Sequence, residues 1–481
     1  MRLHIAKCIP VMTILVFALP ACSNLSTVYQ ITEVPVATLT ALAVTETAAS
    51  QVDATAGPAD DATTPADATP VPSDTVSAPT DTAPAPTEGV PAPTESAPAA
   101  TTLTLWHTWT DAQLQVLQPE LDAFVAEHPD VAVNLLPASD MPQDLADISD
   151  PNAAPDLLAG SPVDLGDLTG VNDIALLDAA SVDITTLANS SAAKGSATDG
   201  QSWAVPFSQS GLALVYNKAI LPPEYLPANP DDLNGLLQKA LGYKRAFLSQ
   251  YPLCIAANDA YHLAPIYFGF GLPAYVDEAG QGYLDTPGAL AAGQWLADIS
   301  PVVYPGQSDE LCQIAFLEGT VAMWWTGPES LPAIQAAGID YGILPMGRPY
   351  VDVQAFMLTP QAVEQGKAAL AVELIQRLTS PDVQKALALA GAIIPIDPTV
   401  LADPEVAQSP DVAGYVAALA RGLPLPTYAY ADAQWDIVAN ASEMMWHRAQ
   451  TPEEALTAAQ AALMAEVAKI AGNIAEADAV P

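Results

Sequence analysis

The chain runs to 481 residues and sets 14 basic side chains against 55 acidic ones, a formal charge of −41. So acidic a chain excludes nucleic acid and anionic lipid as partners held by charge, and the excess is read as a solvated, self-repelling surface. Nothing after the first 22 residues is long and apolar enough to suggest a membrane-spanning helix.

The opening residues, MRLHIAKCIPVMTILVFALPACSN, put Arg2 and Lys7 ahead of an apolar run that stops at Ala21, the pattern of a secretory signal peptide over 1–22. Its end, Leu19-Pro20-Ala21-Cys22, resembles the lipobox of bacterial lipoproteins. Cys22 would then carry lipid and hold the protein on the outer face of the cytoplasmic membrane. Residues 23–101 contain no Lys or Arg and repeat Pro, Thr, Ala and scattered acids, as in TPVPSDTVSAPTDTAPAPTEGVPAPTESAPAATT. That composition buries too little apolar surface to offset chain entropy, so a disordered, acidic tether is expected.

About 380 residues follow, more than one hydrophobic core usually organises, so 102–481 is expected to form two lobes. LTLW reads as a strand, DAQLQVLQPELDAFVAEHP as an amphipathic helix and VAVNLLP as a second strand. This order implies a parallel sheet with helices on its faces. PDLLAG and GLALVYNK follow as strands, then AYHLAPIYFGFG, GALAAGQWLADI and CQIAFLEG as helices. TVAMWWTGP and YGILPMG read as strands, and one of the adjacent Trp324 and Trp325 is assigned to core because neighbours on a strand face opposite sides. AALAVELIQRLTSPDVQKALALAG is strongly helical with Gly391 as its stop. The last helices are QWDIVANASEMMWHRA and PEEALTAAQAALMAEVAKIA, the second capped by Thr451 with Pro452 at its first position. Cys254 and Cys312 remain once the signal is removed; outside the cytoplasm they form either a disulfide closing a long loop or two buried thiols, and both readings stand.

Taken together, LTLWHTWTDAQLQVLQPELDAFVAEHPDVAVNL, WAVPFSQSGLALVYNKAILP, AFLEGTVAMWWTGPESLPAIQAAGIDYGILPMG, ELIQRLTSPDVQKALA and QTPEEALTAAQAAL resemble, in order and spacing from Thr102 to about Ala471, the extracellular solute-binding proteins of ABC importers, the maltose- and sugar-binding class. The resemblance implies an α/β, two-lobe periplasmic-binding-protein-like fold of type II with an interlobe hinge. Lobe one would hold about 102–210 and 357–424, lobe two about 211–356 and 425–476. It further implies a monomer that needs no cofactor, is not an enzyme, and closes on a sugar or oligosaccharide for delivery to permease subunits.

Ligands of parallel sheets sit beyond the carboxyl ends of the strands, which points to His107 and Trp109 at the tip of the first strand, with Trp106 turned to the core. His107 is a hydrogen-bonding candidate, since no second His or Cys stands at a metal-ligand spacing. By the resemblance, Trp435 falls at a position where the family stacks a tryptophan on sugar, and Tyr261 at that of a stacking tyrosine, with Asp259 as an acceptor for hydroxyls. Tyr430, with Tyr428, would line the same wall. Departures occur at Gly160, at Glu329 in place of a tryptophan, and at Ser210 in place of a carboxylate, with Gln209 beside it. Two other ligand or activity classes compete: a polyamine, peptide or iron chelate gripped by Asp259 and Glu329 among rings, and a secreted glycan-active enzyme, which would need two suitably spaced carboxylates. A surface adhesin or sensor without a permease is a further alternative.

Overall fold

The computed structural model describes residues 101–138, 141–146, 148, 154–162, 197–198 and 201–478. The signal peptide, Cys22 and the tether up to residue 100 lie outside the described residues. Within them, no helix is long and apolar enough to cross a membrane.

Strand β1 (Thr101–His107), helix α1 (Asp111–Glu127) and strand β2 (Val131–Pro137) form the expected β-α-β unit, β1 and β2 pairing in parallel. α1 starts where it does because Thr110 and Gln113 make a reciprocal capping box, each side chain bonded to the other's backbone N–H. The sheet continues through β3 (Leu157–Gly160), parallel to β1, and then departs from the expected all-parallel arrangement. Beyond the short hairpin β4 (Ala197–Thr198) and β5 (Gln201–Ser202) comes β6 (Ala204–Gly211). A single residue, Leu212, separates it from β7 (Ala213–Asn217), which belongs to a different, three-stranded sheet.

Helices α2 (Leu233–Ala246), α3 (Ala260–Gly269), α4 (Pro287–Ile299) and α5 (Asp309–Leu317) follow, then strands β8 (Met323–Thr326) and β9 (Tyr341–Leu344), which flank β7 antiparallel on either side. The chain then returns to the large sheet as β10 (Tyr350–Leu358), antiparallel to both β3 and β6, which makes that sheet mixed. α6 (Ala368–Leu378), α7 (Pro381–Leu389), β11 (Ile394–Pro395), α8 (Pro410–Leu419) and β12 (Leu423–Pro424) complete this lobe. α9 (Trp435–Trp446) and α10 (Pro452–Asp478) pack against α4 in the other. The large sheet runs β11-β6-β10-β3-β1-β2, with β12 on β10, and the small one β8-β7-β9.

The interlobe boundary at 357 is therefore corrected: the return crossing lies between Leu344 and Tyr350, because β10 is a strand of the large sheet. Gly347 sits in that crossing at φ +78°, and a Cβ there would strike the carbonyl oxygen of Pro265, so only glycine fits. Arg348 and Arg421 tie this crossing to the turn between α8 and β12, just before the chain leaves the lobe for a third crossing between β12 and α9, Arg348 Nε donating to the Arg421 carbonyl and Arg421 Nε to that of Gly347. The small sheet is buried on both faces. Leu214 and Trp325 face the core built from α2, α3, α4, α9 and α10, while Ala213, Val215 and Trp324 face a core shared with Tyr415 and Val412 of α8. Both Trp324 and Trp325 are thus core residues. The long helical stretch from 368 is two helices, since Ser380 caps α7 and Pro381 occupies its first turn.

Candidate functional site

Because β3 and β6 run with β1, while β10 runs against them, one end of the large sheet gathers the carboxyl ends of β1, β3 and β6 with the first residues of β10. From the β3 and β6 ends come Ser161 and Ser210, and from β10 come Tyr350 and Asp352. Ser210 lies opposite Asp352 in the β6–β10 register, and the Ser161 hydroxyl donates to Asp352 Oδ1 at 2.6 Å.

The other lobe supplies the N-terminal turn of α3. Asp259 caps it, accepting from the Tyr261 N–H at 2.8 Å, and so aims Tyr261 toward the crossing. Tyr261 stacks on Tyr350, ring centroids 6.3 Å apart and planes 16° from parallel; Tyr350 in turn meets Trp435 edge-on at 5.8 Å and 66°. Tyr350 is buried, also packing on Phe268 and Tyr275, whereas Tyr261 and Trp435 are half-buried. The half-buried rings of Tyr261 on α3 and Trp435 on α9 therefore form one wall where the lobes meet, with the buried Tyr350 ring of β10 packed behind both. Burial pushes the Tyr261 hydroxyl well above its usual range, and the charges of Asp352, Glu329 and Asp259 push the same way.

Glu329, in the turn after β8, keeps its side chain accessible to solvent although protein encloses it on most sides, and its carboxyl folds back over Gly327. That enclosure raises its pKa, bonds from the backbone N–H groups of Glu329 and Gly327 partly offset the rise, and nearby Asp309 reinforces it. Behind Asp259 stands His262, whose Nδ1 lies 2.8 Å from Asp259 Oδ2 and whose Nε2 lies 3.2 Å from Asp309 Oδ1. Burial disfavours the charged imidazole, yet the two carboxylates outweigh it and lift its pKa to about 9. The same pairing, together with the Tyr261 and His262 N–H groups, holds Asp259 below the usual carboxylate range against the opposing effect of its burial.

Of the residues expected from sequence, Trp435, Tyr261, Asp259, Glu329 and Ser210 gather around this wall. Four do not. His107 and Trp109 are 5% and 7% exposed and stack on each other at 4.8 Å inside the lobe-one core, Trp109 edge-on to Phe356. They continue the parity of Leu103 and Leu105, and that face lies under α1, so alternation carries them inward and leaves Trp106 half-buried on the opposite face. His107 Nδ1 accepts from the Trp109 N–H and burial lowers its pKa, so it is a neutral core histidine. Gln209 donates its amide to the Pro395 carbonyl, stitching β6 to β11. Tyr430 packs beside Gly280 and Tyr428 donates its hydroxyl to the Val276 carbonyl, so both brace the 275–283 loop. Tyr350, His262, Asp309 and Asp352 were not expected. Finally, Cys254 and Cys312 are joined in a disulfide, 58 residues apart, which settles the alternative left open by sequence.

The two lobes thus meet at a ring-lined and carboxylate-rich junction. Residues 121–414 match the family described as bacterial extracellular solute-binding protein, and the chain belongs to that family. It is 25% identical over 346 residues to the maltotriose-binding protein of Pyrococcus abyssi (strain GE5 / Orsay), covering 69% of this chain and 75% of that one. Among solved structures it resembles a cyclo/maltodextrin-binding protein complexed with maltotetraose (TM-score 0.66, 21% identity, 78% of this chain and 99% of that). The GacH receptor of Streptomyces glaucescens GLA.O is similar too (TM-score 0.65, 21% identity, 77% and 98%). So is the maltose-maltodextrin binding protein of Alicyclobacillus acidocaldarius (TM-score 0.63, 21% identity, 76% and 100%). The chain is a binding protein and not an enzyme, which removes the glycan-active alternative.

Proposed function

We propose that this protein captures an oligosaccharide of the maltodextrin class between its lobes and delivers it to the permease of an ABC importer, while Cys22 anchors it by lipid to the outer face of a bacterial cytoplasmic membrane. One observation carries the reading of the site: the wall of Tyr261 and Trp435, backed by Tyr350 and flanked by Asp259, Glu329 and Asp352. A pyranose ring offers an apolar C–H face for an indole or phenol to cover, and its rim of hydroxyls donates to carboxylates. A maltotriose-binding relative and three maltodextrin- or maltose-related structural neighbours support the same choice of ligand.

Calorimetric titration of maltotriose, maltotetraose and spermidine separates the readings. Saturable binding of the glucans without that of the polyamine supports the proposal; spermidine alone binding overturns it in favour of a cation held by the acids. Trp435→Ala weakens glucan binding at least tenfold, about 1.4 kcal/mol. The circular dichroism spectrum stays unchanged, since Trp435 is half-buried at the first turn of α9. Unaltered affinity in that variant removes the stacking role. For the anchor, labelled palmitate is expected to enter the wild-type chain in a lipoprotein-processing bacterium and to be absent from Cys22→Ser; label in both variants rejects Cys22 as the acceptor.

A further inference from the structure

His262 lies behind the aromatic wall and touches two carboxylates from two different helices. Asp259 caps α3, the helix that carries Tyr261, and Asp309 is the first residue of α5. Asp309 also accepts from Trp324 Nε1 of β8 at 2.8 Å, so its position is set from a second side. The imidazole is 15% exposed, but the carboxylates are 42% and 39% exposed, so each keeps oxygen lone pairs open to solvent while bound to the ring. We infer that His262 is a positioning residue of the solute site: by donating from both ring nitrogens it holds Asp259 and Asp309 together as one fixed pair of acceptors and so fixes the turn that presents Tyr261. The inference deepens the reading of the aromatic wall as the ligand face and rests on it.

Charge makes the clamp necessary. Every titratable group facing the ring is acidic or phenolic: Asp259 on its own helix, Asp309 from α5, Glu329 from the turn after β8, and Tyr261 with centroids 5.6 Å away. Neutral imidazole has one N–H and can satisfy only one carboxylate, leaving the other facing a lone pair and both repelling each other. The doubly protonated form satisfies both. The disulfide ties residue 254 to residue 312, yet the first turn of α3 is tied to α5 through His262. The sign follows from the raised pKa: the clamp is intact at neutral pH and is lost as pH rises through about 9.

The test is calorimetry with maltotriose from pH 7 to pH 10 on the purified chain and on His262→Gln, whose amide donates at every pH. Wild-type affinity is expected to hold steady to about pH 8 and then to fall about tenfold by pH 10, the slope of one proton. His262→Gln is expected to bind several-fold more weakly at pH 7 and to show no such fall. Parallel pH profiles, or unchanged affinity of the variant at pH 7, overturn the inference. If maltotriose binds neither protein, the sugar reading fails by itself, and ring 15N resonances of the unliganded chain, with His262 assigned by its loss in the variant, decide the clamp. Both nitrogens protonated up to a midpoint near 9 supports it; a midpoint near the ordinary histidine value of about 6.5 overturns it.

Discussion

Replacing Lys367 by methionine is expected to destabilise the protein by about 3 to 5 kcal/mol, the usual consequence of stranding a buried carboxylate. The carboxylate is Asp156, which is 0% exposed at the start of β3. Lys367 Nζ reaches both of its oxygens at 2.9 Å, and among the described residues the one other donor to them is the Thr104 N–H, at 2.8 Å to Oδ2. Asp156 also lends its backbone to the end of the large sheet opposite the site: its N–H donates to the Thr104 carbonyl and its carbonyl accepts from Thr359. Without Lys367 the charge has lost its counter-ion inside a medium of low dielectric, and the desolvation cost already incurred is no longer offset. The double variant Lys367→Met with Asp156→Leu is expected to recover much of the loss, because no charge then remains to be buried. Urea denaturation of the wild type and the two variants checks this. A single-variant loss below about 1 kcal/mol would mean that water reaches Asp156 and that the pair acts as a surface bridge.

Residues 350–358 show how the fold could be partly read and partly missed. YVDVQAFML alternates, with Val351, Val353 and Ala355 inward and Asp352 and Gln354 less buried, a strand signal of period two. Prolines 345 and 349 interrupt the approach, and the reading stopped at YGILPMG, so β10 was lost and with it the return crossing. A parallel sheet was expected from β1, α1 and β2 because local order reveals only the local unit. The antiparallel entry of β10 depends on distant partners, Val351 pairing with Gly211 and Ala355 with Gly160, which no window of periodicity contains.

The site was legible to the same degree and for related reasons. Trp435, Tyr261, Asp259 and Glu329 enter the candidate site through the resemblance, since their neighbours in sequence carry family patterns. Tyr350 fell on the missed strand and so went unrecognised. His262 and Asp309 become meaningful only as a pair, and their 47-residue separation hides the contact. His107 and Trp109 misled because a polar or aromatic residue at a strand tip invites a functional reading, although simple parity with Leu103 and Leu105 places it under α1.

Reduction of the Cys254–Cys312 disulfide is expected to cost about 4 kcal/mol, the loop-closure contribution of a 58-residue separation to the unfolded chain. The effect should reach the site before the protein unfolds. Cys254 bonds through its backbone to Met323 of β8 and stands five residues before Asp259, while Cys312 is one turn after Asp309 on α5. Opening the bond therefore frees the two segments whose carboxylates meet at His262, and the aspartates can drift apart while both sheets stay intact. Calorimetric binding and urea unfolding, each with and without a thiol-free reductant, distinguish the two consequences, and the Cys254→Ser/Cys312→Ser variant controls for the reductant. Weaker binding at temperatures where far-ultraviolet dichroism is unchanged is the expected order of events. If affinity instead holds until the transition itself, the bond stabilises the lobe alone and His262 suffices to keep the acceptor pair in place.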